Sequence, residues 1–234
     1  MRAFGKYIGY LGRVNEGLIE QMVLESLPKG KDSVYLDLGC GDGVKTLIRA
    51  SHIGTGDVIG IEGDKNLLSA AKNGGIKTYW TDINLPWPIN DVSVDCITAT
   101  EVVEHLSDLD NFFSESKRIL KPGGKIIIST ENLAGYHNIF ALLMGDQPYT
   151  GPYLSKVFSV GHRPCSKFYQ GKNVAYPHLN VMTTKALRQL LSRYGFKVKG
   201  ISGIGFYPLP PFLASLLASF DKYHASYCVV VAEK

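Results

Sequence analysis

At 234 residues, with 45% hydrophobic and 20% charged residues, the chain has the size and composition of one globular domain able to bury a full core. Its 25 basic and 21 acidic residues leave a net charge of +4, and without a dense Lys/Arg cluster that balance argues against nucleic acid as the partner. Cys40, Cys96, Cys165 and Cys228 are too scattered for a disulfide frame, no run reaches the roughly 18 apolar residues of a membrane span, and Met1–Tyr10 lacks the apolar core of a signal peptide, so one cytoplasmic domain over 1–234 is expected.

Residues 1–14 mix aromatics, glycines and basic residues without periodicity, and Asn15 is placed to cap a helix from Glu16 to about Leu27, stopped by Pro28-Lys29-Gly30. The stretch that organises the chain comes next. Ser33-Val34-Tyr35-Leu36-Asp37-Leu38 reads as a buried strand, Gly39-Cys40-Gly41-Asp42-Gly43 as a tight turn, and Val44–Ala50 as a helix. Without Cβ atoms such a turn reaches φ > 0 and lets a ligand approach the backbone, while the helix start offers N–H groups to a polar or anionic group. A dinucleotide fingerprint would need glycine at position 44, which holds Val44, so a nicotinamide oxidoreductase is the weaker reading. Asp57–Glu62 is a second buried strand ending in an acid 19 residues beyond Gly43. A carboxylate there is suited to accept hydrogen bonds from both hydroxyls of a ribose; the plainer role for Glu62 is a cap or a solvated acid, although Asp64 is the better cap for the helix to Lys72.

Ile76–Trp80 is the third strand and leads to Asp82-Ile83, which taken alone is an ordinary turn. Trp80 and Trp87 are candidates to stack on a base, against the commoner fate of tryptophan in a core. Val92–Thr100 is the fourth strand, followed by Glu101-Val102-Val103-Glu104-His105-Leu106. Ser107 is placed to cap a helix over Asp108–Leu120 with Leu109, Phe112, Phe113, Ile119 and Leu120 inward, and Lys121-Pro122-Gly123-Gly124 turns into strand five, Lys125–Thr130. From Glu131 to Met182 periodicity is lost and aromatics accumulate (Tyr136, Phe140, Tyr149, Tyr153, Phe158, Tyr169, Tyr176), with short helices expected near Asn138–Met144 and Pro152–Phe158. Loops this long in compact domains usually serve function. His162, Cys165 and His178 are too irregularly spaced to predict a zinc site, and no metal is expected. Thr183 or Thr184 caps a helix over Lys185–Tyr194, ended by Gly195; Phe196–Ile204 and Ser226–Ala232 are the closing strands. Between them Phe212, Leu213, Leu216, Leu217 and Phe220 form an apolar stripe at helical spacing, the pattern of a core-facing helix or of a surface that meets lipid or another subunit.

Three of these stretches carry a resemblance. Leu36-Asp37-Leu38 with Gly39-x-Gly41-x-Gly43 resembles the first motif of class I S-adenosylmethionine (SAM)-dependent methyltransferases. The fourth strand with Glu101-x-x-Glu104-His105-Leu106 resembles the ubiquinone-biosynthesis type, and Leu120-Lys121-Pro122-Gly123-Gly124 the turn before strand five. The likeness runs from about Ser33 to Lys234. It implies an α/β, doubly wound, Rossmann-like, seven-stranded and mostly parallel sheet with the last strand antiparallel, in a single domain with a lid insertion after strand five. Residues 1–30 would form a helical cover that brings Tyr7 or Tyr10 near the cofactor, and 131–182 the acceptor-binding insertion.

The cofactor implied is SAM, with S-adenosylhomocysteine as product. Gly39, Cys40, Gly41 and Gly43 would line the donor, Asp37 would order the turn and reach the donor's amino group through water, Glu62 would hold ribose, Asp82 and Ile83 adenine, and Thr100 and Glu101 the methionine half. Glu104 and His105 would face the acceptor, His105 as general base or as a packed helix-entry residue. His178, in a segment resembling the family's His-x-x-x-x-Thr approach to the last helix, would stand at the acceptor mouth as catalytic group or loop histidine. The chain lacks both the acid cluster of catechol-type enzymes and an Asn-Pro-Pro-Tyr signature. The aromatic cover and basic balance lean towards a small organic acceptor, anionic or lipid-linked, with no nucleic acid; a homodimer and a non-catalytic SAM-binding regulator both stay open.

Overall fold

The computed structural model describes residues 2–155, 160–161 and 177–234. The described residues form, in chain order, α1 (Arg2–Ser26), β1 (Val34–Leu38), α2 (Val44–Ile53), β2 (Asp57–Glu62), α3 (Lys65–Asn73), β3 (Lys77–Trp80), β4 (Val94–Thr100), the 3-10 turn Val103–His105, α4 (Leu109–Ile119), β5 (Leu120–Glu131), α5 (Tyr136–Leu143), α6 (Thr184–Arg193), β6 (Lys197–Ile204), α7 (Pro211–Phe220) and β7 (Tyr227–Glu233). Among the described residues the strands form one seven-stranded sheet in the order β3-β2-β1-β4-β5-β7-β6, with β7 running opposite to the other six.

Local chemistry fixes the element ends. The α2 helix starts at Gly43 and stops at Gly54, both left-handed, with Gly54 N–H donating to the Ala50 carbonyl. Asp64 caps α3 by accepting from the Asn66 and Leu67 amides, and Thr183 caps α6 by accepting from Ala186. The cap of α4 is Asp108, accepting from Asn111, and not Ser107. The Lys121–Gly124 turn sits inside a register shift between the pairs Val94↔Leu120 and Cys96↔Lys125, so the strand begins before the turn and resumes after it.

Two apolar layers sandwich the sheet. On one face Trp87, Phe112, Phe113, Ile119, Leu187 and Leu191 pack on inward residues of β1, β4, β5 and β7. On the other, Ile19, Val23 and Leu27 of α1 join Ala50, Ile53 and Ala71 over Tyr35, Cys96 and Val229. Truncating a ring such as Phe112 would remove about 3–5 kcal/mol, the cost of an unfilled aromatic site.

Packing corrects a third boundary and decides between two readings left open by the apolar stripe after β6. The first helix begins at Arg2, and Asn15, read as its cap, is a buried mid-helix residue. Gly5, Gly9, Gly12 and Gly17 hid the pattern because each weakens helix propensity, while Ile8, Leu11, Ile19, Val23 and Leu27 supply a buried face that tertiary packing rewards. The stripe on α7 points largely outward: Phe212 is 72% and Phe220 82% exposed, and only Ala214 is buried, beside Phe206 and Ala225. The helix lies beyond the end of β6, off the sheet faces that built the two main cores. No helix among the described residues is long and apolar enough to cross a membrane.

Candidate active site

The carboxyl ends of β3, β2, β1 and β4 lie side by side, with Glu62 paired to Trp80, and Leu38 to Ile61 and to Ala99. The glycine turn leaves β1 at the centre of that edge. Gly39, Gly41 and Gly43 all have positive φ, at 69°, 55° and 85°. A Cβ on Gly39 would come within 2.8 Å of Val102 and one on Gly43 within 2.6 Å of Ile76, whereas one on Gly41 would meet nothing within 4 Å. The protein itself therefore requires the outer two glycines, while the middle one turns a bare backbone towards open space.

Glu62 does more than end its strand. Its Oε2 accepts from the Gly41 amide at 2.9 Å and its Oε1 from Gly63 at 2.8 Å and Asp64 at 2.9 Å. The carboxylate thus ties the glycine turn to the β2–α3 junction and keeps lone-pair capacity for further donors. Asp82 is exposed in an Asx turn, its Oδ1 accepting from the Asn84 amide at 2.9 Å, and Ile83 packs on the core while its carbonyl receives Trp87 Nε1 at 3.0 Å. Trp87 is buried, whereas Trp80 is exposed with Lys65 3.9 Å above its ring and its Nε1 on the Gly63 carbonyl.

Asp37 faces inward. Its carboxylate accepts from Thr46 and Thr98 hydroxyls, both at 2.6 Å, and from Arg49 Nη1 at 3.1 Å. Arg49, 1% exposed, also grips Glu20 of α1 at 2.6 Å and Thr100 Oγ1 at 3.1 Å. Burial opposes the guanidinium charge, but Asp37 and Glu20 more than restore it and raise its pKa. The Cys40 thiol lies against Gly60 in the core, where burial and the nearby Asp37 carboxylate push it up to about 12, so the residue offers a ligand its backbone only. A cavity of about 340 Å³ opens between α1 and the sheet edge, lined by Gly12, Glu16, Glu20, Lys45, Thr100 and Glu101 among others.

Beyond β4 the chain builds a second polar cluster. Glu101 takes φ of 54°, a conformation uncommon for residues other than glycine, as its amide donates to the Ser129 carbonyl and its Oε1 accepts from Ser129 Oγ. Glu104 is 1% exposed and accepts from Thr130 Oγ1 at 2.9 Å. Burial, reinforced by Glu131, raises it to about 7 despite the Thr130 bond, and burial with Glu104 and Glu131 also raises Glu101. The segment 177–180 folds onto this turn: Leu179 and Asn180 amides both donate to the Glu104 carbonyl, at 2.6 and 3.0 Å. His178 is thereby brought to 4.8 Å from the His105 ring, centroid to centroid, edge to face. Its Nδ1 lies 2.7 Å from the Thr150 carbonyl and 3.1 Å from Glu131 Oε2. Burial lowers the His178 pKa, but Glu131 and the Thr150 carbonyl outweigh it and leave the group raised.

The structure gathers Gly39, Gly41, Gly43, Glu62, Thr100 and Glu101 at one edge, and His105 with His178 beside it. His162, Cys165, Tyr169 and Tyr176 lie outside the described residues, and Pro152–Ser155, where a short helix was expected, is not helical; the rest of that expected helix, 156–158, is also undescribed. Arg49, Lys45, Glu20 and Glu131 were missed. Arg49 shares the inward helical face of Thr46, Ala50 and Ile53, and Glu131 ends a buried strand as Glu62 does; both signals were present in the sequence.

A parallel sheet with a glycine turn at its centre and an acid ending the neighbouring strand is the architecture of a nucleoside-binding crevice at a topological switch point. The methyltransferase-domain family model matches residues 10–199, and the chain belongs to that family. It is 28% identical to the ubiquinone biosynthesis O-methyltransferase of Pelagibacter ubique over 160 residues, covering 66% of this chain and 63% of that one. Among solved structures, the SAM-dependent methyltransferase of Mesorhizobium loti superposes with a TM-score of 0.62 at 19% identity, over 94% of this chain and 100% of that one. The geranyl diphosphate C-methyltransferase of Streptomyces coelicolor, solved with Mg2+, geranyl diphosphate and S-adenosylhomocysteine, gives 0.63 at 16% identity over 98% and 84%. The chain spans less than two thirds of the length of the curated relatives it matches first, at 33%, 63% and 45%.

Proposed function

We propose that the protein transfers a methyl group from SAM to a small organic acceptor. The observation that carries this reading is the continuity of the edge: bare backbone at Gly41, the Glu62 carboxylate beside it, Asp82 beyond the adjoining strand and a polar cavity at Thr100 and Glu101. Adenosine fits across the first three, with Glu62 accepting from ribose hydroxyls and Asp82 with the Ile83 amide reading adenine. The methionine end enters the cavity, where Lys45 faces its carboxylate and Glu101 or Glu20 its ammonium. Asp37 acts through Arg49 and the turn without touching the donor.

A sulfonium methyl is already activated, so the protein has chiefly to align donor and nucleophile and exclude water. His105 and His178 supply the acceptor-side polar groups, and residues 131–182 act as the acceptor cover of a single domain. The exposed aromatics of that region and the relationship to quinone-modifying enzymes support a small, anionic or lipid-linked acceptor and a cytoplasmic setting. Incubating the full chain with a metabolite extract and deuteromethyl-labelled SAM is expected to yield a new labelled species by mass spectrometry. Absence of any labelled product across chemically diverse acceptor pools, with the donor bound, would make the protein a SAM-binding regulator.

A further inference from the structure

The His178 ring has little freedom left to turn. Tyr153 stacks on it with centroids 4.8 Å apart and planes at 26°, and the Tyr153 amide donates to the His178 carbonyl at 3.3 Å, while the His105 ring meets it edge to face. A carbonyl oxygen only accepts, so the 2.7 Å contact with Thr150 puts the hydrogen of the neutral ring on Nδ1 and its lone pair on Nε2. Among the described residues no hydrogen bond reaches that Nε2, and the side chain keeps 15% exposure. An anchored ring with one unused lone pair is suited to take a proton.

Glu131 stands behind it. The residue ends β5 opposite Tyr227 of β7, which lines the donor-side cavity together with Thr100 and Glu101. Its Oε2 lies 3.1 Å from His178 Nδ1, yet that buried oxygen accepts no hydrogen bond, the Nδ1 hydrogen going to the nearer Thr150 carbonyl. No lysine or arginine among the described residues pairs with Glu131 either. A buried carboxylate oxygen without a donor is costly to keep, and what it faces is a ring whose charged form it stabilises.

We propose that His178 Nε2 takes the proton of the acceptor's hydroxyl and that Glu131 is a positioning residue, holding the ring and stabilising the imidazolium as it forms. The proposal rests on the methyl-transfer reading and adds to it the division of work between these two residues. As the acceptor oxygen attacks the sulfonium methyl, its O–H proton passes to Nε2 and its electron pair forms the C–O bond. The methyl–sulfur bond breaks with its pair retained by sulfur, and the imidazolium later releases the proton to solvent. The Thr150 carbonyl sets the tautomer and Glu131 supplies the countercharge, the part a buried acid plays behind a histidine base.

The pH dependence follows from the groups around the ring. Among the described residues these are Glu104 and His105 from the Val103–His105 turn, Glu131 from β5 and Tyr153 from the segment after Thr150. Burial lowers the His178 pKa, but Glu131, the Thr150 carbonyl and Glu104 outweigh it and leave it raised. The base works when neutral, so turnover rises with pH through the His178 midpoint. Removing the Glu131 charge lowers that midpoint and moves the acidic limb to lower pH.

The test labels the full chain with 15N-histidine and identifies the His178 signal among the six histidines by its loss in His178→Gln. The expected NMR result is a neutral ring with hydrogen on Nδ1 and a midpoint above 6.5. In Glu131→Gln the midpoint falls below that of wild type and Glu131→Asp recovers part of the difference, while both bind S-adenosylhomocysteine within about threefold of wild type. With the metabolite fraction that yields labelled product, kcat of Glu131→Gln falls about tenfold or more, KM stays within about threefold, and the acidic limb of kcat/KM shifts with the NMR midpoint. Hydrogen on Nε2 of the neutral wild-type ring, a wild-type midpoint at or below 6.5, or a midpoint and rate unchanged in Glu131→Gln would overturn the proposal. Absence of labelled product from every pool with wild-type chain would instead refute the methyl-transfer reading, and the role of base with it.

Discussion

Glu62→Ala is expected to weaken S-adenosylhomocysteine binding about 100-fold, measured by equilibrium titration against the wild type. Two ribose hydroxyls donating to a carboxylate make charge-assisted hydrogen bonds worth about 1.5–3 kcal/mol each, and about 3 kcal/mol is two orders of magnitude in Kd. The same change orphans the Gly41, Gly63 and Asp64 amides, which all donate to this side chain, so the glycine turn loses its tie to the β2–α3 junction. Glu62→Gln separates the two contributions. It keeps the shape but turns an amide donor towards either the ribose or the backbone, and a loss intermediate between wild type and alanine follows. Affinity within threefold of wild type in the alanine variant would mean that ribose does not lie at Glu62.

The second large effect is on stability. Arg49→Met removes the guanidinium that joins Asp37 of β1 to Glu20 of α1 and to Thr100 at the end of β4. Breaking a buried pair by removing one partner costs about 3–5 kcal/mol, because the remaining carboxylate is left uncompensated. For a chain of this size that corresponds to a Tm lower by about 10 °C. Replacing Asp37 by leucine in the same chain should recover part of the loss, since the uncompensated charge disappears with it. A thermal midpoint within 2 °C of wild type for Arg49→Met, a threshold well inside the shift expected for a buried pair, would contradict the network.

The sheet was legible because its signals are local. The buried strands are short runs rich in apolar residues, and Gly43, Asp64, Gly54 and Thr183 mark the adjoining helix ends by backbone conformation or side-chain bonding. The antiparallel position of β7 followed from family resemblance, not from any residue in it. Two features escaped for opposite reasons. The first half of α1 carries glycines that local propensity penalises, and the burial of Ile8 and Leu11 is the tertiary signal that local propensity does not report. The α7 stripe has a clear period, but periodicity reports that a face is apolar and not what covers it.

The candidate site divides the same way. Glu62 stands where chain position alone put it, at a strand end next to the glycine turn. His178 and His105 are 73 residues apart in sequence, and their ring contact depends on the Leu179 and Asn180 amides finding the Glu104 carbonyl. No spacing rule encodes such a long-range pairing. Asp37 was read as ordering the turn and reaching the donor's amino group through water, and the residues that bond its carboxylate, Thr46, Thr98 and Arg49, come from separate segments that no local pattern links.

The central claim is that an adenosyl group lies across the carboxyl edge from the glycine turn to Asp82. A crystal structure of the full chain with S-adenosylhomocysteine tests it directly. Ribose oxygens at about 2.5–3.0 Å from the Glu62 carboxylate, with the adenine amine at hydrogen-bond distance from Asp82, is the predicted result. Nucleoside density elsewhere, or a bound ligand from which both carboxylates turn away, would contradict it.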